Sequence, residues 1–242
     1  MRVFGEPLVT TMRTPGHDRE LITGWLAYEG LIASHADVSS LFACGDPKDE
    51  DFGNVYEVVP AAGMAERLKA RDPELQPRVI QSSCGVCGRQ TVADLLQRRS
   101  PAQHTASWDV ATLRHLFELC GTEQTLFRRT GATHCAVLGH RDETVDLTRE
   151  DVGRHNAVDK LVGRLLLDRR LPVTDSDVLI VSSRASFEIV HKALMAGFSV
   201  VLSVSAPSTL AVDLAERAGM VLAGFYRSGS FNIYAGAGRV RV

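Results

Sequence analysis

The chain has 242 residues, 45% of them hydrophobic and 23% charged, with a formal net charge of −2 at pH 7. That composition describes an ordinary globular fold with a sizeable core, as one domain or two closely packed ones, and leaves no case for a nucleic-acid coat or an anionic membrane surface. No apolar run approaches the length of a membrane span, and Met1-Arg2-Val3-Phe4-Gly5-Glu6-Pro7 lacks a secretory profile, so a cytoplasmic protein with no membrane or nucleic-acid partner is expected.

In chain order, Pro7 to Thr11 reads as a short strand, Thr14-Pro15-Gly16 breaks it, and a helix follows from Asp18 to Glu29 with Leu21, Ile22, Trp25 and Leu26 at helical spacing. The signal weakens from His35 to Pro77. Asp46 to Asp51 reads as a solvated acidic loop and Val55 to Val59 as a strand, and a subdomain boundary is expected before the cysteine-bearing loop that comes next.

That loop is Ser82-Ser83-Cys84-Gly85-Val86-Cys87-Gly88, preceded by apolar Val79-Ile80 and followed by a helical pattern with Thr91 to Asp94 as its capping box. Thiols at a helix entrance meet unpaired N–H groups and the positive end of the helix dipole, which favour the thiolate. The flanking glycines let a bulky reagent approach the backbone. The chemistry is nucleophilic sulfur, and a CxxC alone leaves open a redox pair, a zinc half-site or a sulfur carrier. The thioredoxin-like version would have an aromatic or proline neighbour. A zinc half-site needs two more ligands, and only His35, Cys44 and the distant Cys120 are candidates. His35-Ala36-Asp37 with Cys84 and Cys87 imitates a zinc deaminase order, but Asp replaces Glu and no proline precedes Cys84. Five cysteines without an export signal argue against a disulfide framework. Cys120 and Cys135 read as buried hydrophobes.

Helices are expected near Asp109 to Leu119 and in a short piece ending at Gly131, then a strand at His134 to Leu138 that Thr144 to Leu147 can pair with. Next comes the dense segment from Glu150 to Lys160. Val158, Leu161 and Leu165 make a core stripe, while Asp151, Arg154, His155 and Asn156 crowd the helix entrance, which suggests a site rather than a cap alone. From Asp177 strands and helices alternate: Val178 to Val181, Phe187 to Met195, Val200 to Val204, Leu210 to Arg217, Val221 to Phe225. This predicts crossovers and a largely parallel sheet. The strand ends read Ser182-Ser183-Arg184-Ala185-Ser186, Ser205-Ala206-Pro207-Ser208-Thr209 and Tyr226-Arg227-Ser228-Gly229-Ser230. Hydroxyls, helix N-termini and two arginines at these carboxyl ends make a phosphate-binding kit.

Thr14-Pro15-Gly16, Ser82 to Gly88, Glu150 to Lys160, Ser183 to Glu188, Ser205-Ala206-Pro207, and Gly224-Phe225 onward to Asn232 and Tyr234 occur in an order that resembles the FdhD family of formate dehydrogenase accessory proteins. Ser208-Thr209 departs from it by exchanging one hydroxyl for another. The resemblance implies an α/β fold: a cytidine-deaminase-like three-layer core over 79–242 with a mixed, largely parallel sheet, and a smaller N-terminal subdomain over 1–78. It also implies a cytoplasmic homodimer that takes persulfide sulfur from a cysteine desulfurase on Cys84, with Cys87 as partner. The acceptor would be the molybdenum or tungsten bis(molybdopterin guanine dinucleotide) cofactor of formate dehydrogenase, with no metal of the protein's own. Phe225, Tyr226, Arg227, Ser228, Gly229 and Ser230 would hold the cofactor, with Arg184 and Ser205 beside them, and GDP or GMP would mimic its arms. The same residues leave a second reading, a cofactor-binding chaperone that transfers no sulfur.

Overall fold

The computed structural model describes residues 1–50, 52–70, 78–80 and 106–241. Cys84 and Cys87, the capping box after them and their helix lie outside the described residues.

The alternation expected from Asp177 is realised. Strands β10 (Asp177–Val181), β11 (Val200–Ser203) and β12 (Val221–Arg227) run parallel, joined by helices α6 (Phe187–Ala196) and α7 (Thr209–Arg217). Antiparallel strands complete the sheet on both sides. β8 (His134–His140) pairs with β10, β9 (Val145–Asp151) with β8, and β13 (Ser230–Ala235) with β12. The six-stranded order is therefore β13-β12-β11-β10-β8-β9.

Strand side chains alternate between two faces, and each face has its own helical cover. Ala136, Leu138, Leu179, Val181, Val201 and Leu222 face α6, α7 and α5 (Arg154–Leu167), whose predicted stripe of Val158, Leu161 and Leu165 is fully buried. Cys135, Val137, Val178, Ile180, Val200, Leu202, Val221 and Ala223 face α3 (Val110–Thr122), which contributes Leu113, Leu116, Phe117 and Cys120. The result is a three-layer α/β core. A short helix, α4 (Thr125–Thr130), ends as expected at Gly131, which adopts the left-handed conformation.

The N-terminal residues build a smaller sheet, order β2-β1-β5-β4, from Glu6–Pro7, Arg2–Val3, Tyr56–Pro60 and Val38–Ala43. Helix α1 (Asp18–Tyr28) lies between this sheet and α5, burying Ile22, Trp25 and Leu26 in a cluster that also takes in Leu166 of α5. Its spacing to α5 is set by two glycines. A Cβ on Gly24 would fall 1.9 Å from the Asp159 carbonyl oxygen, and one on Gly163 would fall 1.8 Å from the Glu20 carbonyl oxygen. No side chain fits there, so the two helix backbones touch directly.

Gly163→Ala forces those backbones apart and is expected to destabilise the chain by about 3 kcal/mol, the upper end for overpacking. Urea denaturation of the two proteins measures this, and an unshifted midpoint would mean the contact is looser than described.

Candidate functional site

The segment from Glu150 to Lys160 divides into two parts. Asp151 is fully buried, and four donors saturate its carboxylate. Oδ1 accepts from the Gly153 amide at 2.9 Å and Asn156 Nδ2 at 3.0 Å, and Oδ2 from the Thr14 amide at 3.0 Å and Lys160 Nζ at 2.6 Å. Lys160, equally buried, spends its other protons on the carbonyls of Thr14 at 2.9 Å and Glu150 at 3.3 Å. Asn156 Nδ2 also donates to the Met12 carbonyl at 2.7 Å, and the Val152 amide donates to Thr14 Oγ1 at 2.9 Å. Asp151, Asn156 and Lys160 therefore clasp the Thr14-Pro15-Gly16 turn, and their role is structural.

Arg154 and His155 face elsewhere. His155 Nε2 lies 3.1 Å from Ser186 Oγ and 3.5 Å from Glu188 Oε2, linking the starts of α5 and α6. Burial, helped by the charges of Arg154, Lys192 and the neighbouring His134, pushes its pKa down to about 3. Burial, then Arg154 and Arg184, also lowers that of His134. His134 lines an open groove of about 410 Å³ with Thr133, Ser182, Val204, Gln124 and the half-exposed Phe127. Ser182 accepts the Cys135 amide at 2.9 Å. Cys120 and Cys135 are buried as expected, their sulfurs 3.4 Å apart; this contact, with burial, holds the Cys120 thiol well above its ordinary pKa.

At the carboxyl ends of the parallel strands, hydroxyl and backbone groups join the loops named from the sequence. Buried Ser203 Oγ lies 2.7 Å from the Ser183 carbonyl and 2.9 Å from that of Ser205, and the Phe225 amide donates to the Ser205 carbonyl at 3.2 Å. β12 runs two residues past its predicted end, because Ser228 (φ 47°) and Gly229 (φ 82°) form a two-residue turn into β13, with Arg227 paired to Ser230. Two consecutive left-handed residues suit the strand twist of a tight hairpin, and the glycine removes half of their steric cost. The Arg114 guanidinium ties the turn to α3 through the Gly229 carbonyl at 2.8 Å.

Of the two rings expected to compete for a purine, Tyr226 is engaged. It stacks on Phe117 with centroids 4.8 Å apart and donates to Glu118 Oε1 at 3.3 Å. Phe225, with φ 58° at an irregularity of the ladder, is 46% exposed, and the Arg227 guanidinium lies 4.9 Å from its ring centre. Arg227 Nη1 donates to the carbonyls of Tyr226 at 2.6 Å and Val204 at 3.2 Å. Ser205, Phe225 and Arg227 thus share one corner. Arg184, exposed after β10, belongs with His134 on the other side of β11, about 10 Å away at ordinary strand spacing. His35-Ala36-Asp37 is not a metal half-site here: Asp37 accepts the amides of Ala33 and Ser34 and pairs with Arg67. Among the described residues no three His, Cys, Asp or Glu side chains converge on a metal position, and no helix is long and apolar enough to cross a membrane.

The depressed pKa of His155 sets a pH dependence. Both states are neutral above pH 6.5; between 6.5 and about 3 only the unfolded chain takes up the proton, so stability falls as pH falls. His155→Gln is expected to remove on the order of 2 kcal/mol of the stability lost between pH 7 and 5. Denaturation at both pH values tests this, and an imidazole resonance of His155 titrating near 6.5 would refute it.

The model of the FdhD/NarQ family matches residues 1–241. A sulfur carrier protein FdhD from Anaeromyxobacter dehalogenans is 46% identical over 99% of this chain and 85% of its own length, and one from Streptomyces coelicolor is 44% identical over 99% and 86%. A crystal structure described as a formate dehydrogenase accessory protein from Desulfotalea psychrophila superposes with a TM-score of 0.68 over 97% of this chain and 88% of its own, at 20% identity, a likeness of fold. A match across the whole length, reached independently by family model and by relatives, leaves one assignment: the chain belongs to the FdhD/NarQ family.

Proposed function

We propose that this chain is a sulfur carrier for formate dehydrogenase maturation. The observation that carries the reading is its similarity, at 46% identity over nearly its whole length, to a protein named as a sulfur carrier. In this reading the Cys84 thiolate attacks the outer sulfur of a cysteine desulfurase persulfide. One S–S bond breaks, another forms, and the desulfurase leaves as a thiolate. The Cys84 persulfide then passes its outer sulfur to the molybdenum or tungsten bis-guanine-dinucleotide cofactor, either directly or after Cys87 attacks Cys84 and expels hydrosulfide. The carrier works as a cytoplasmic homodimer.

The substrate's guanine would lie at the Phe225 corner. Phe225 offers an exposed face for stacking, Arg227 a cation beside it, and the Ser228–Gly229 turn and Ser230 polar groups at its rim. Arg184, across β11, would reach a phosphate further along the ligand. The chaperone alternative uses the same corner without the cysteines.

Desulfurase and cysteine are expected to add one cyanide-labile sulfur per chain, read as an added sulfur atom in the intact mass, and Cys84→Ala to abolish it. Full loading of the alanine variant would remove Cys84 from the role, and formate dehydrogenase activity restored by a chain lacking both cysteines would favour the chaperone. For the nucleotide, Arg227→Ala is expected to weaken GDP binding by about 1.5–3 kcal/mol, the worth of one charge-assisted contact; an unchanged Kd would remove Arg227 from the site.

A further inference from the structure

A second concentration of positive charge lies on the β8 side of the sheet, and the nucleotide reading does not account for it. Arg154 opens α5, a helix of 14 residues whose N-cap, Gly153, supplies no side-chain cap. α6, of 10 residues, starts after Ser186, also without a side-chain cap bond. The His155–Ser186 contact at 3.1 Å brings these two helix starts together. Both helix dipoles thus present their positive ends, with unpaired first-turn amides, to one corner.

The side chains there add to that charge. Arg154 Nε is buried without a hydrogen-bond partner. Among the described residues, neither Arg154 nor Arg184 makes an ion pair. The nearby carboxylates are engaged. Asp151 is held by Lys160 and three other donors. Glu150 accepts from the amides of Leu126 and Phe127 and the hydroxyls of Thr125 and Thr133. Glu188 lies 3.5 Å from His155 and 3.7 Å from Lys192. His134 stands opposite Asp151 in the β8–β9 ladder and opens into the groove with Ser182, two residues before Arg184.

We propose that this corner of β8, α5 and α6 is an oxyanion site that takes a phosphoryl group, gripped by Arg154 and Arg184, with His134 and Ser182 on the groove wall. Guanidiniums match the spacing of phosphoryl oxygens, and helix amides complete the coordination. β8 lies three strand spacings from β12, about 14 Å. One phosphate cannot touch both corners, whereas an extended dinucleotide spans them. The phosphoryl group therefore comes either from such a ligand or from a free phosphate.

Calorimetric titration of the full chain with inorganic pyrophosphate at low salt tests the site. The wild type is expected to bind one pyrophosphate per chain, and Arg154→Gln and Arg184→Gln each to weaken it tenfold or more. Arg217→Gln, which loses only a surface pair with Asp213 on α7, should bind as the wild type does. Arg184 is exposed, so its variant keeps the test valid if Arg154→Gln folds poorly. Repeating the titration with the protein saturated by GDP separates the sources. Loss of pyrophosphate binding places the nucleotide's own diphosphate in the corner, and persistence assigns it to a separate anion; either result supports the site. No binding by the wild type, or wild-type affinity in both arginine variants, overturns it. Sulfur chemistry plays no part in the measurement, so its failure and that of persulfide loading are distinguishable.

Discussion

The buried pair of Asp151 and Lys160, 2.6 Å apart, holds the described structure together. Taking two charges out of water is costly unless every lone pair and proton is matched. Here the carboxylate has four donors and the ammonium three acceptors, drawn from the end of β9, the start of α5 and the turn at Thr14. The same contact therefore closes the sheet edge, aims α5 and fastens the N-terminal segment. Because Asp151 takes the Gly153 and Asn156 donors for itself, the first turn of α5 is left to point its amides and Arg154 outward.

A comparable division runs along the strand ends. Ser203 bridges toward Ser183 and Ser205, and the Ser205 carbonyl takes the Phe225 amide, so three loops that are far apart in sequence move as one. Polar groups that satisfy one another in this way set the shelf, and the side chains left over do the binding. Tyr226 belongs to the shelf, through Phe117 and Glu118, and Phe225 does not.

Local pattern made much of this readable from the residues. Alternating apolar runs after Asp177 gave the parallel strands and their crossovers, and the stripe of Val158, Leu161 and Leu165 gave the buried face of α5, because such periodicities reflect burial directly. Gly131 marked the end of α4 by the same local logic. Partnerships between distant segments were not readable. Nothing near Asp151 announces that Thr14 lies against it, 137 positions away. The choice between Phe225 and Tyr226 needed Phe117, and the Ser228–Gly229 hairpin extended β12 where a loop was expected, since a turn's hand depends on the strand that returns. Arg184 and Arg227 looked like one pair of strand-end arginines and lie on opposite sides of β11. The cluster of His134, Arg154 and Arg184 draws on three elements and has no contiguous signature.

The bare backbone contact of Gly24 with Asp159, and of Gly163 with Glu20, bears on how far the chain can be taken apart. Helix α1 covers α5 along its length and meets the Lys192 ammonium with the ring of Tyr28 at 3.7 Å. The opening thirty residues are therefore part of the wall of the six-stranded half, not an appendage to it. A gene fragment starting after them would leave Leu166 and the Asp159–Lys192 pair facing water, so the two halves form an indivisible unit of inheritance.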